Sequence, residues 1–284
     1  KHEVVKLINY HRIDPFSNKE SHRQINLEIW YPQTQHEEFP VIVYSHGGIS
    51  HARSHQSLFL ELASHGYVLI SVDHTYHSLS VNTKDSKNVS IHRTYLNQLM
   101  TENAQKNPEG SYNNYLLWME LRTEDLMFVV DTIIERTQDA QQDVFKIIDV
   151  NKIGVMGHSL GGSAAMCLGS LRDDISAIMA LESPMFCDII GVDDHKFVFR
   201  EYEFKVPLLH IYTDSSWHNL SKWGQYGQNF NLLKQPSDHT YAVYFQDMYH
   251  FGLTDLSLSN PLLSRLLNGF KKEISADEGL RRVN

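Results

Sequence analysis

The chain has 284 residues, of which 42% are hydrophobic and 21% charged, the composition of an ordinary globular protein rather than a disordered or fibrous one. Its 25 Lys plus Arg against 34 Asp plus Glu give a formal charge of −9, and no basic run stands out, which excludes nucleic acid as the main partner. Two cysteines, Cys167 and Cys187, are too few for a disulfide scaffold or a four-cysteine metal site, and no stretch reaches the ~20 apolar residues of a membrane span. No signal-peptide ordering is visible, but the sequence starts at Lys1 rather than Met. An extracytoplasmic or membrane-associated location is expected if an upstream segment was removed, and a cytoplasmic one otherwise.

Two segments, Val4 to Ile8 and Ile25 to Trp30, alternate apolar and polar residues, the period of half-exposed strands in an antiparallel hairpin. Beyond Tyr31-Pro32 the apolar runs become continuous, at Val41 to Tyr44 and Tyr67 to Ile70, with a helical stretch around Leu58 to Leu62 between them. Such runs suit strands covered on both faces, hence a parallel sheet. A long helix from Tyr115 to Arg136 follows, then a strand Lys152 to Met156, a helix Ser159 to Leu171 and a strand Ile175 to Leu181. Strands at Pro207 to Tyr212 and Tyr241 to Phe245 and a last helix from Pro261 to Lys272 complete the series. This alternation predicts an α/β fold: one domain over 1–284 with a mostly parallel central sheet and helices on both faces. Polar residues 75–111 and the stretch 184–205 interrupt it and are expected to be cap or loop insertions at the sheet's carboxyl edge.

The sharpest signal is Gly157-His158-Ser159-Leu160-Gly161, a Gly-x-Ser-x-Gly directly after an apolar strand and directly before a small-residue helix. That context defines a nucleophile elbow, in which a tight strand-to-helix turn presents the Ser159 hydroxyl and the backbone amide of Leu160 becomes an oxyanion donor. An earlier turn, Ser45-His46-Gly47-Gly48, follows a strand where the second oxyanion amide belongs; Gly48 is the better candidate and Gly47 the weaker.

A serine hydroxyl needs a base, and the base needs a carboxylate, in the chain order serine, acid, histidine. Among the histidines beyond Ser159, His210 lies inside a strand and reads as a core residue. His195 and His218 come before the last strand, and His239 sits at its wrong end. His250 follows that strand and is the expected base. Two carboxylates qualify as the acid: Glu182 at the end of the strand after the elbow, and Asp214 at the end of the next. His51 and His55, four apart and beside His46, have helical metal-ligand spacing but lack the adjacent glutamate of zinc proteases. They are read as surface or oxyanion-loop histidines. No cofactor and no metal are expected.

Several separated stretches resemble one family, the platelet-activating factor acetylhydrolases of the plasma, isoform II type, and their bacterial relatives. They are Arg12 to Phe16, Glu28-Ile-Trp30-Tyr31-Pro32, Tyr44 to Gly47, Leu62 to Tyr67, Leu121-Arg122-Thr-Glu124-Asp125, Val155 to Gly162, Ala180 to Phe186 and His250 to Asp255. The resemblance implies an α/β-hydrolase fold and a calcium-independent Ser-His-acid esterase or lipase that removes short or oxidised acyl chains from phospholipids. In that family the acid lies in a Leu-Asp-x-x-Met-Phe pattern, matched here by Leu181-Glu182-Ser-Pro-Met185-Phe186, so the resemblance favours Glu182, with Asp214 as the alternative. The expected partner is a small-molecule or lipid ester, with transient membrane-surface contact through an apolar rim of Phe186, Ile189, Ile190, Trp217 and Trp223. A thioesterase or peptidase with the same triad is the alternative, ahead of a non-catalytic binding protein of the same fold. Oligomeric state is not legible.

Overall fold

The computed structural model describes residues 1–284 except 18–19, 34–36, 86, 139–143, 202–203 and 236. In chain order, β1 (His2–Ile13), β2 (His22–Trp30) and β3 (Phe39–Ser45) precede α1 (Gln56–Ser64) and β4 (Val68–His74). The short strands β5 (Ser80–Asn82) and β6 (Asn88–Ser90) pair as a hairpin, followed by α2 (Arg93–Thr101) and α3 (Pro108–Thr137). Next come β7 (Ile148–His158), α4 (Leu160–Leu171), β8 (Ile175–Leu181) and a second hairpin of β9 (Ile189–Asp193) and β10 (Lys196–Phe199). Then follow β11 (Leu208–Thr213), α5 (Gly227–Lys234), β12 (Thr240–Phe245), α6 (Leu256–Ser259), α7 (Pro261–Leu267) and α8 (Ala276–Val283).

Eight strands form one sheet in the order β1-β2-β4-β3-β7-β8-β11-β12. The expected hairpin is there: β1 pairs antiparallel with β2, and β2 antiparallel with β4. All pairings from β4 to β12 are parallel. The continuous apolar runs are the reason, because every residue of β4 is buried. One face of the sheet packs Val43, Val155 and Ile178 against Leu126 and Val129 of α3 and Ala164 and Leu168 of α4. The other face carries Tyr44, Leu69 and Met156 against Leu58 and Phe59 of α1 and Val283 of α8.

A buried ion-pair network ties the antiparallel edge to the long helix. Arg23 of β2 bonds Asp14 at 2.8 Å and Asp125 of α3 at 2.6 Å, His74 Nδ1 lies 2.9 Å from Asp125, and Arg12 also reaches Asp125 at 2.8 Å. Breaking one partner of such a buried set leaves an uncompensated charge, at about 3–5 kcal/mol.

The helix expected over Pro261 to Lys272 is α7, which is shorter, and α8 follows it. Helix α7 stops at Leu267 because Gly269 takes φ +76°, and the Phe270 N–H turns back onto the Arg265 carbonyl at 2.7 Å, a left-handed helix stop. Cys167 of α4 and Cys187, just beyond β8, form a disulfide that the sequence left open.

Candidate active site

β7 passes into α4 through Ser159, whose φ of 55° and ψ of −125° lie outside the regions open to ordinary side chains. Two glycines make the turn sterically feasible. A Cβ on Gly157 would lie 2.3 Å from the carbonyl group of Gly161, and one on Gly161 only 2.0 Å from the Ser45 carbonyl oxygen. The helix starts one residue later than the sequence suggested, with Ser159 at its cap and the amide of Leu160 opening the first turn. There the helix geometry supplies no acceptor for the first amides.

The Ser45 to Gly48 turn at the end of β3 abuts this elbow. A Cβ on Gly47 would be 3.5 Å from the Cβ of Ser159, and the Gly48 carbonyl accepts the Tyr95 hydroxyl at 3.1 Å. Among the described residues, no backbone hydrogen bond occupies the N–H of Gly48 or of Leu160. Leu99 of α2 covers Gly48 closely enough that a Cβ there would lie 3.2 Å from its side chain.

Strand ends bring the acid candidates to the same edge. The Ser159 N–H bonds the Leu181 carbonyl at 2.8 Å and the Glu182 N–H bonds the Ile211 carbonyl at 2.7 Å, stitching the ends of β7, β8 and β11 together. Glu182, at φ 51° and 1% exposed, accepts the Thr213 N–H through one oxygen, while Oε1 is buried with no partner among the described residues. Burial raises its pKa to about 7 against the opposing pull of neighbouring Ser216 and of the Thr213 N–H. Asp214 is otherwise engaged: it accepts the Tyr244 hydroxyl and the Asp247 N–H (3.1 Å) and lies 3.5 Å from His218.

His250 opens a short 3-10 turn after β12. Its N–H bonds Ser215 Oγ at 2.9 Å, and its carbonyl accepts His158 Nε2 at 3.1 Å. The rings of His250 and His158, the residue next to Ser159, are 4.5 Å apart. Burial lowers the His250 pKa to about 4, which keeps the imidazole neutral and able to accept a proton at neutral pH. The elbow and His250 thus share one end of the sheet. Among the described residues, no hydrogen bond yet joins the His250 ring to Ser159, Glu182 or Asp214.

Other histidines fall into place by burial. His210 is a core residue, stacked 4.2 Å from Tyr212. His55 corrects the surface reading: it is 1% exposed and bonded to the Tyr44 hydroxyl at 2.6 Å. The expected helical spacing with His51 is absent, since α1 starts only at Gln56. The apolar rim also needs correction. Ile189 is buried, Phe186 stacks on Tyr115 and Trp217 on Tyr244, and the half-buried Trp223 packs against Tyr226, leaving Ile190 as the openly exposed member. Sequence reasoning gave no role to Arg122, which is fully buried and donates to the His46 and Gly47 carbonyls. Its signal was an arginine among Trp118, Met119, Leu126 and Val129 on the buried face of α3.

The sheet order, the helices on both faces and the strained serine between β7 and α4 define a protein of the α/β-hydrolase fold. Within that class, the family model of platelet-activating factor acetylhydrolase, isoform II, matches residues 28–214, and the chain belongs to this family. The platelet-activating factor acetylhydrolase of Cavia porcellus is 23% identical over 266 residues, 87% of this chain and 56% of that protein. That of Canis lupus familiaris is 28% identical over 148 residues, 49% and 33% respectively. A probable 1-alkyl-2-acetylglycerophosphocholine esterase of Arthroderma benhamiae is 22% identical over 188 residues, 64% and 42%. The chain spans about half or less of the length of these relatives. Among solved structures, a ferulic acid esterase from Streptomyces cinnamoneus superposes with a TM-score of 0.71 at 17% identity, covering 99% of this chain and 86% of that one. A dienelactone hydrolase from Anabaena variabilis gives 0.51 at 15% identity, with 95% of each chain covered.

Proposed function

We propose that the chain is a serine-dependent carboxylic-ester hydrolase acting on short or oxidised acyl esters of phospholipids. The observation that carries this is the strained Ser159 at the elbow, flanked by the amides of Leu160 and Gly48, which no backbone hydrogen bond occupies among the described residues, with a neutral His250 at the same end of the sheet. Ser159 Oγ attacks the ester carbonyl while His250 takes its proton, and the two amides hold the oxyanion. A water activated by His250 then releases the acyl group. Glu182 is the better acid because its Oε1 has no partner among the described residues, whereas Asp214 already serves Tyr244, Asp247 and His218. The hydrogen bonds of such a site often tighten only around substrate.

The phospholipid part of the reading has support in the surface. Leu258, Leu262, Leu263, Leu266, Leu267 and Phe270 are exposed just beyond His250, next to Arg265, Lys271 and Lys272. An apolar face bordered by cations suits transient contact with a phospholipid surface. We read 1–284 as one domain, because a single sheet runs from β1 to β12, with 75–111 and 184–205 as insertions beside the site. The Cys167–Cys187 disulfide favours an extracytoplasmic location, where such bonds persist.

Replacing Ser159 by Ala tests the core of the proposal. It is expected to abolish both p-nitrophenyl acetate hydrolysis and fluorophosphonate labelling, and turnover retained by that variant would refute it.

A further inference from the structure

Among the described residues, Arg23 and Arg122 are fully buried, in opposite electrostatic situations. Arg23 sits between two carboxylates, Asp14 and Asp125. Arg122, equally inaccessible, has no carboxylate in ion-pair range among the described residues. Its fork is spent on the oxyanion turn instead: Nη1 donates to the His46 carbonyl at 2.5 Å, and Nη2 to the Gly47 carbonyl at 3.2 Å and the Tyr95 hydroxyl oxygen at 3.3 Å. Nε is buried with no partner among the described residues. A buried cation without a counter-charge is costly, so its retention calls for a role that neutral packing would not fill.

We propose that Arg122 is a positioning residue that fixes the peptide planes of the oxyanion turn, an inference that rests on the esterase reading above. In a trans peptide unit the carbonyl and the following N–H point in opposite directions. Drawing the carbonyls of His46 and Gly47 onto the guanidinium therefore turns the N–H groups of Gly47 and Gly48 away from it. Gly47 lies against Ser159 and His158. His46 supports the same orientation, with Nδ1 2.7 Å from the Gly47 carbonyl and Nε2 2.7 Å from Ser78 Oγ. Tyr95 pins the third carbonyl, that of Gly48. The elbow presses on this turn from its other side, since a Cβ on Gly161 would lie 2.5 Å from the same His46 oxygen that Arg122 holds. Without the guanidinium, a peptide flip would replace an oxyanion donor by a carbonyl oxygen that repels the developing charge. The positive charge also lies behind the turn that would hold the anion. Lysine would keep that charge but not the planar fork that grips two carbonyls at once.

The test compares Arg122→Lys and Arg122→Gln with the wild type, each shown folded by its thermal transition. A lost oxyanion donor costs on the order of 10²- to 10³-fold in rate, so Arg122→Lys is expected to lower kcat by about 10²-fold with KM little changed, and Arg122→Gln by more. A trifluoromethyl ketone, which adds to Ser159 as an anionic hemiketal, should lose affinity by the same factor as kcat. The corresponding secondary alcohol, which forms no oxyanion, should keep its affinity. If the Arg122 variants do not fold, Tyr95→Phe removes the bond to the Gly48 carbonyl and should show the same selective loss at smaller size. Folded variants with wild-type kcat, or a rate loss with no change in the ketone-to-alcohol affinity ratio, would overturn the proposal. A wild-type protein that neither labels at Ser159 nor binds the ketone would instead refute the esterase reading itself.

Discussion

Helices α4 and α7 both sit beside the candidate site and both are apolar, yet they use that character in opposite ways. In α4 every residue from Leu160 to Gly169 is buried, and its Gly, Ala and Ser residues let the helix approach the sheet closely. In α7 the polar Ser264 is the one residue turned inward, while Leu262, Leu263, Leu266 and Leu267 face water. The contrast separates two tasks. A buried, small-residue helix holds the strained elbow in place; an inside-out leucine helix does little for the core and is suited to meeting an apolar phase.

The comparison breaks most sharply at the elbow. In Gly161→Ala the new methyl would meet two backbone carbonyls, of Ser45 and His46, that cannot yield as a side chain tip would. Loss of measurable turnover and destabilisation by about 3 kcal/mol are expected, read by ester hydrolysis and urea unfolding. The acid comes next. Substituting Glu182 by Gln should cost about 10⁴-fold in kcat, as for carboxylates that orient a catalytic histidine, whereas Asp214→Asn should cost much less. A carboxyl whose pKa is raised to about 7 takes up its proton as pH falls through that value, so wild-type kcat/KM should decline below about pH 7. Glu182→Gln should remove that limb. If Asp214→Asn removes it instead, the two carboxylates exchange roles.

Smaller effects probe how the site is braced. Cys187 ties the segment after Glu182 to α4 across a separation of 20 residues, so Cys167→Ser should lower stability by about 3 kcal/mol in denaturant unfolding, and a reductant should do the same to the wild type. At the far end of the comparison, Leu262→Ser with Leu266→Ser should leave unfolding unchanged within about 0.5 kcal/mol, as for exposed positions. Sedimentation with phosphatidylcholine vesicles should drop, and hydrolysis of a vesicle-borne ester should fall relative to a water-soluble one. Undiminished vesicle binding would assign the leucine face another partner.

Much of this was legible beforehand because it rests on local patterns. β8 spans Ile175–Leu181 as its apolar run indicated, and the elbow followed from glycine spacing at a strand-to-helix junction. Leucine period, in contrast, says that a helix forms and not which way it faces. Thus α7 was foreseen while its exposure and its early stop at Leu267 were not. The C-terminal α8 escaped notice because its buried residues are few, Gly279 and Leu280. Arg122 and His55 were obscured by the usual association of charge with surface, and only neighbours distant in the chain show how their polar atoms are satisfied.

Sequence alone determined the order of the eight main-sheet strands and of α1, α3, α4 and α7, the parallel sheet, the position of Ser159 and the place of His250 after the last strand. These depend on periodicity and on the turn chemistry of a few adjacent residues, which act over one or two turns of chain. Tertiary structure decided, among the described residues, which carboxylate keeps an oxygen free and which arginine lacks a counter-ion, and also that Cys167 meets Cys187 and which face of α7 is left in water. Each of these depends on groups far apart in the chain competing for the same few hydrogen bonds and the same buried volume, and that competition is settled only when the strands have assembled.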